Sequence, residues 1–386
     1  MSDTTRLKGF FFAYFAYVGM FSPYLSLYLA DAGFSIAQIG ILMSLPQWMR
    51  IVAPPFWGWL ADSRGRPDQL MRLSSVLTLT AVCLLHWSSG GSIWVVGLVL
   101  AVLFFVSAAQ VPIGEAQTLS VTAGDAGEYG KIRLWGSIGF ILAVASLGPV
   151  LDALGTQTLP LWMAGVLVLL VAIVWSFKSN TAPPSASAAL VRLRDRLRQT
   201  HIAAFFLANF LMIFAHAAYY VLYSLYLEEQ GYSKTAIGAL WTLGVVAEVA
   251  LFRWQRHLFS RFSALGMLGF SIAIAAVRFA LIGWSAGVLW LLILAQLMHA
   301  ITFGLHHSAV MKILHQWFDV QQQARAQALY VTLAYGLGGA LGGLVVSGLW
   351  VHLSPAGAFY GAGLAAAVGA CLTLIAIRRA PAPLPS

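Results

Sequence analysis

Charge is what this chain has least of. Of its 386 residues, 13 are Asp or Glu and 22 are Lys or Arg, so 9% are charged. Soluble domains carry about 25%. So few charges cannot cover a globule in water, which excludes an ordinary soluble fold. Cysteine is nearly absent too. Cys83 and Cys371 both fall inside apolar runs, which excludes a disulfide scaffold and a cysteine-based metal site. Long polar stretches are also missing, and the loops are too short to hold a signalling domain. The first apolar run is not followed by a small-residue cleavage site and a polar mature chain, so it reads as a retained helix.

What is present is apolar length, with 60% of residues hydrophobic. Each run reaches about 20 residues, enough to cross a bilayer. The runs lie near 9–30, 37–60, 71–88, 93–120, 132–151, 159–177, 201–227, 236–252, 264–284, 288–311, 326–349 and 357–377. They are continuous rather than alternating, which selects helices over a barrel. The expected fold is all-α and integral to the membrane, with about twelve transmembrane helices.

The net charge of +9 is a topology signal. With the N-terminus inside, 18 basic residues fall on the cytoplasmic side and only Lys234 on the other, while Arg50, Arg133 and Arg278 lie within spans. The positive-inside rule then puts both termini in the cytoplasm. No nucleic-acid partner is expected.

The longest polar connection runs from Lys178 to Thr200. It divides the chain into a six-helix bundle over 1–177, a cytoplasmic linker over 178–200 and a second six-helix bundle over 201–386. The basic stretch Arg192–Arg198 is expected on the anionic leaflet. The halves share sequence: SLYLADAGFSIAQIGIL at 26–42 matches SLYLEEQGYSKTAIGAL at 224–240 in nine of seventeen positions, at an offset of 198. Pseudo-symmetric halves with a substrate site between them near mid-membrane are a transporter architecture. The same offset pairs Arg50 with Glu248, and both are expected to face the central cavity.

Among acidic residues, only Glu115 and Glu248 sit well within spans. Each charge at a helix centre costs roughly 2.5–3.5 kcal/mol, so embedded charges mark substrate or ion paths. Three embedded cations against two carboxylates favour an anionic substrate, and arginine suits a carboxylate because it binds both oxygens. Histidine titrates near neutrality. This makes His216, His299, His306 and His307 candidates for proton relay or substrate contact. Aromatic residues crowd the first and seventh spans, among them Tyr14, Phe15, Tyr17, Phe21 and Tyr24, then Tyr219, Tyr220 and Tyr223. They would suit a flat organic substrate.

After the second span the chain reads Gly58-Trp-Leu-Ala-Asp62-Ser-Arg64-Gly65-Arg66. This resembles the cytoplasmic loop motif of the major facilitator superfamily, with Ser63 at a usually basic position. The matching loop near Arg256–Phe262 lacks the Asp and the Gly. Tyr129-Gly-Lys-Ile-Arg133-Leu-Trp-Gly136-Ser, His216-Ala-Ala-Tyr219-Tyr220, the run from Leu240 to Glu248, Val277-Arg278 and Leu297-Met-His299 look like the phenylpropionate permease family, which is similar to the lactose permease group of proton symporters. That resemblance implies proton-coupled uptake of 3-phenylpropionate or a related aromatic acid. It also implies that Glu115 and Arg133 act as a pair, with Glu248, Arg278 and His299 as a second set. Where lactose permeases carry their coupling carboxylate, this chain has Thr302.

The reading is an importer and not an enzyme. Its substrate contacts would be Arg133, Arg278, Glu115, Tyr219, Tyr220 and His216. Glu248, His299 and Glu115 would couple protons, and Arg50 would add cavity charge. It would need no cofactor or metal, only a proton gradient, and would work as a monomer in the bacterial inner membrane. Sugar or nucleoside symport and drug efflux are the alternatives.

Overall fold

A computed structural model describes residues 2–88, 90–177, 194–285 and 287–380. Among the described residues, twelve helices are long and apolar enough to cross a membrane. They are α1 Asp3–Asp31, α2 Ile36–Ser63, α3 Pro67–Trp87, α4 Ile93–Val121, α5 Gly127–Leu154, α6 Thr156–Trp175, α7 Thr200–Glu229, α8 Lys234–Arg261, α9 Ala264–Ser285, α10 Leu289–Trp317, α11 Val320–His352 and α12 Pro355–Arg379. No strand occurs among the described residues. Several helices overrun the apolar cores from which they were expected. The start of α11, Val320-Gln-Gln-Gln-Ala-Arg, is polar but made largely of good helix formers, so the backbone ladder continues past the apolar stretch. Residues 178–193 of the expected linker, including Lys178 and Arg192, lie outside the described residues.

The chain forms two compact units, Met1–Ala186 with Tyr220–Thr242, and Ser187–Tyr219 with Leu243–Ser386. The internal repeat has a physical content. Gly33 and Gly231 both take positive φ, 89° and 82°, which lets the chain turn out of α1 and α7. Two residues on, a serine caps the next helix. Ser35 accepts from Gln38 N in a capping box on α2, and Ser233 accepts from Ala236 N on α8. The matched residues are therefore those that stop one helix and start the next.

Close packing repeats as well. In the first unit, Gly139 of α5 lies against the backbone carbonyl of Phe12 in α1. In the second, Gly338 of α11 meets the carbonyl of Phe210 in α7, and a Cβ there would approach to 2.8 Å. Glycines at these places let helix backbones approach, and such close packing is one of the forces that associate helices in lipid.

Among the described residues, three segments depart from α-helical to π-helical geometry. Ala218–Leu222 in α7, Ala300–Leu305 in α10 and Val331–Gly338 in α11 are π-helical. Among the described residues, α1 to α6 contain no such segment. π segments are rare and gather at functional sites.

Candidate functional site

Each unit holds one cluster of membrane-embedded charges. In the first, Arg133 Nε of α5 lies 3.9 Å from Glu115 Oε1 of α4, and the two side chains are 32% and 40% exposed. The guanidinium carbon sits 4.1 Å from the centre of the Phe15 ring and 5.3 Å from that of Phe11, both on α1. A Cβ at Gly136 would come within 2.7 Å of Arg133 Nη1 and 2.9 Å of Phe15. Gly136 is therefore what allows Arg133 to fold along its own helix onto the aromatic face of α1. The half-buried Tyr14 lies within electrostatic reach of Arg50, Arg133 and Glu115. Arg50 itself is exposed on α2. Tyr220 packs its ring 6.1 Å from that of Trp241.

In the second unit, Arg278 of α9 has 0% exposure. Its Nε donates to the Ala295 carbonyl at 2.8 Å and its Nη1 to Thr302 Oγ1 at 3.2 Å. The guanidinium lies 4.6 Å from the centre of the Tyr219 ring. Such contacts are what hold a cation at membrane depth. The Tyr219 hydroxyl donates to Gln296 Oε1 at 3.2 Å. His299 stacks on Phe303, with ring centres 5.3 Å apart, and sits 5.2 Å from Tyr219. Its Nε2 is 4.0 Å from Glu248 Oε2. Arg278, Tyr219, His299 and Glu248 thus form one continuous chain of contacts. His216 is held differently: its Nδ1 is 2.9 Å from the Met212 carbonyl and its ring stands edge-on to Phe279.

Sequence reasoning missed two features here. Gln296 is fully buried beside Tyr219, and its position three residues before His299 in an otherwise apolar stretch was the available signal. Phe11 and Phe15 support Arg133, and their signal was aromatic spacing of four along α1. Buried polar groups are normally paired, yet Gln296 Nε2 and His299 Nδ1 have no hydrogen-bond partner among the described residues.

The loop motif forms a turn. Gly65 takes φ 60° and its N–H donates to the Ala61 carbonyl, capping the C-terminal end of α2. Pro67 then opens α3. Asp62 and Arg66 are exposed, and Gly58 has open space around it. Among the described residues, no group of three or more His, Cys, Asp or Glu side chains could hold a metal ion.

The model of the MFS_1 like family matches residues 4–361. The chain is 29% identical over 348 residues to the probable 3-phenylpropionic acid transporter of Escherichia coli (strain K12), covering 87% of this chain and 88% of that protein. It is 29% identical over 336 residues to the maltose permease of Geobacillus stearothermophilus, covering 85% and 83%. The crystal structure of the nucleoside transporter NupG superposes with a TM-score of 0.84 at 15% identity, over 98% of this chain and 99% of that one. The fold is thus of the major facilitator type.

Proposed function

Because the chain belongs to the MFS_1 like family and is a twelve-span membrane transporter, we propose that it imports a small aromatic carboxylate such as 3-phenylpropionate together with a proton. Transport proceeds by alternating access of the bundles 1–177 and 201–386. A monomer acts in the bacterial inner membrane, with both termini in the cytoplasm. The observation that carries the reading is the Arg278 guanidinium 4.6 Å from the centre of the Tyr219 ring. That arrangement sets a guanidinium, enclosed here by protein, against an aromatic ring, and these are the partners that the carboxylate and the ring of an aromatic acid need once the site opens. Arg278 or Arg133 holds the carboxylate, and Glu115 orients Arg133. Glu248 exchanges the proton, with His299 beside it, because Thr302 stands where lactose permeases carry their coupling carboxylate.

One monoanion moving with one proton carries no net charge. The membrane potential, worth about 2.3 kcal/mol per charge per 100 mV, then contributes nothing to the driving force. The test is uptake of labelled 3-phenylpropionate into proteoliposomes. Accumulation is expected under an inward proton gradient and not under an imposed potential at zero pH gradient. Potential-driven accumulation overturns the electroneutral step, and no accumulation of the acid overturns the substrate.

A second reading, sugar–proton symport, is favoured by the maltose permease at the same 29% identity. Competition by neutral sugars, with none by aromatic acids, would select it.

A further inference from the structure

Glu248 of α8 faces two residues of α10 that are five positions apart. His299 Nε2 lies 4.0 Å from its carboxylate. Gly304 faces the same side chain from below, because a Cβ there would stand 2.8 Å from Glu248 Cγ and 3.6 Å from the Phe252 ring. In an α-helix, residues five apart point roughly 140° away from each other. The stretch between these two is the π segment Ala300–Leu305, whose i→i+5 bonding brings such residues to one side. Facing back, Gly244 of α8 makes the matching notch, where a Cβ would come within 3.3 Å of His299 Cδ2 and 3.0 Å of Gln296 Oε1. Each helix thus presents bare backbone to the other's titratable side chain.

We infer that Gly304 is a positioning residue, and that the bare backbone set beside Glu248 by the π turn fixes how the carboxylate stands against His299. An added methyl at 2.8 Å cannot be met by a small adjustment of a side-chain tip, since Cγ is the base of the carboxylate arm. The arm must swing, and proton transfer depends on that geometry. The consequence for transport rests on the proton-coupled reading above; the positioning does not.

The experiment uses the full chain in lipid nanodiscs, with ¹⁵N-labelled histidine and the His299 imidazole signals identified by their loss in His299→Asn. Gly304→Ala is expected to move those signals in the same sense as Glu248→Gln. Gly244→Ala should move them less. Gly348→Ala, which has nothing within 4 Å of its added Cβ, should leave them in place. In proteoliposomes, Gly304→Ala should lower gradient-driven accumulation of labelled 3-phenylpropionate about tenfold and keep gradient-free exchange within about twofold, as a misplaced proton group would. Unmoved His299 signals in Gly304→Ala overturn the inference, as does an equal fall in exchange and accumulation. A wild-type protein that accumulates no acid defeats the transport reading instead, and the His299 signals then decide the positioning alone.

Discussion

Two arginines at membrane depth are held in opposite ways. Arg133 is half-exposed, stands 3.9 Å from a carboxylate and rests on two phenylalanines of α1. Arg278 is fully buried, donating to a backbone carbonyl and a threonine hydroxyl. Among the described residues the helices around Arg133 hold no π segment, whereas Tyr219 and Thr302, which touch Arg278, lie in π segments. The difference is energetic as well as geometric. Exposed ion pairs contribute about 0–1 kcal/mol, while breaking the contacts of a buried charge costs about 3–5 kcal/mol. A count of embedded cations and carboxylates treats the two arginines alike. Their surroundings make Arg278 a fixed part of the second unit and Arg133 an adjustable part of the first.

The largest test of that contrast is to remove each arginine. Arg278→Ala is expected to lower kcat/KM for labelled acid at least about 100-fold and to lower thermal stability, because it leaves buried acceptors unmatched. Arg278→Lys should rescue little, since an ammonium cannot bond the Ala295 carbonyl and a substrate carboxylate in the same planar fork. Arg133→Lys should cost about tenfold with the melting temperature unchanged. Initial rates and melting curves on the same preparations decide it. Equal losses in both would dissolve the distinction.

The glutamates give the next effect. Glu248→Gln should abolish accumulation under a proton gradient and retain gradient-free exchange, because exchange needs no net proton movement. Glu115→Gln should instead raise KM about tenfold while accumulation still follows the gradient, as expected for loss of a partner that orients a binding residue. If the phenotypes appear in reverse, the proton site belongs to the first unit.

Much of this was legible without coordinates. Spans show themselves because lipid demands continuous apolar length, and embedded charges show themselves by rarity. The repeated block and the loop motif could be read as turns between helices, and Gly33, Gly65 and Gly231 within them occupy positive φ. The π segments could not. Ala218–Leu222 and Ala300–Leu305 have the composition of any span. Their geometry comes from packing against neighbours and not from a local preference. The roles of Gly304 and Gln296 were hidden for the same reason, because each depends on which residue of another helix lies opposite. The grouping of His299 with Glu248 came from resemblance, and α-helical spacing alone would have turned Gly304 away from both.

The smallest expected effect tests the first unit by itself. Gly136 keeps open the space in which Arg133 lies against Phe15. Gly136→Ala adds one methyl, and an extra methyl in a packed site typically costs 1–3 kcal/mol when nothing can yield. Here much can yield, since Arg133 ends a long flexible side chain and is 32% exposed, while the Phe15 ring, 2.9 Å from the added Cβ, must tilt as well. The guanidinium should therefore move off the ring and the fold should hold. The expected outcome is a rise in KM of about three- to fivefold, the loss of one exposed cation–aromatic contact of about 0.5–1 kcal/mol, with kcat and the melting temperature unchanged. Phe15→Leu should give a similar rise, and the double variant should add little to either, because both changes remove the same contact. Additive losses would mean that Phe15 supports the substrate directly and that Arg133 is not adjustable in the sense that separates it from Arg278.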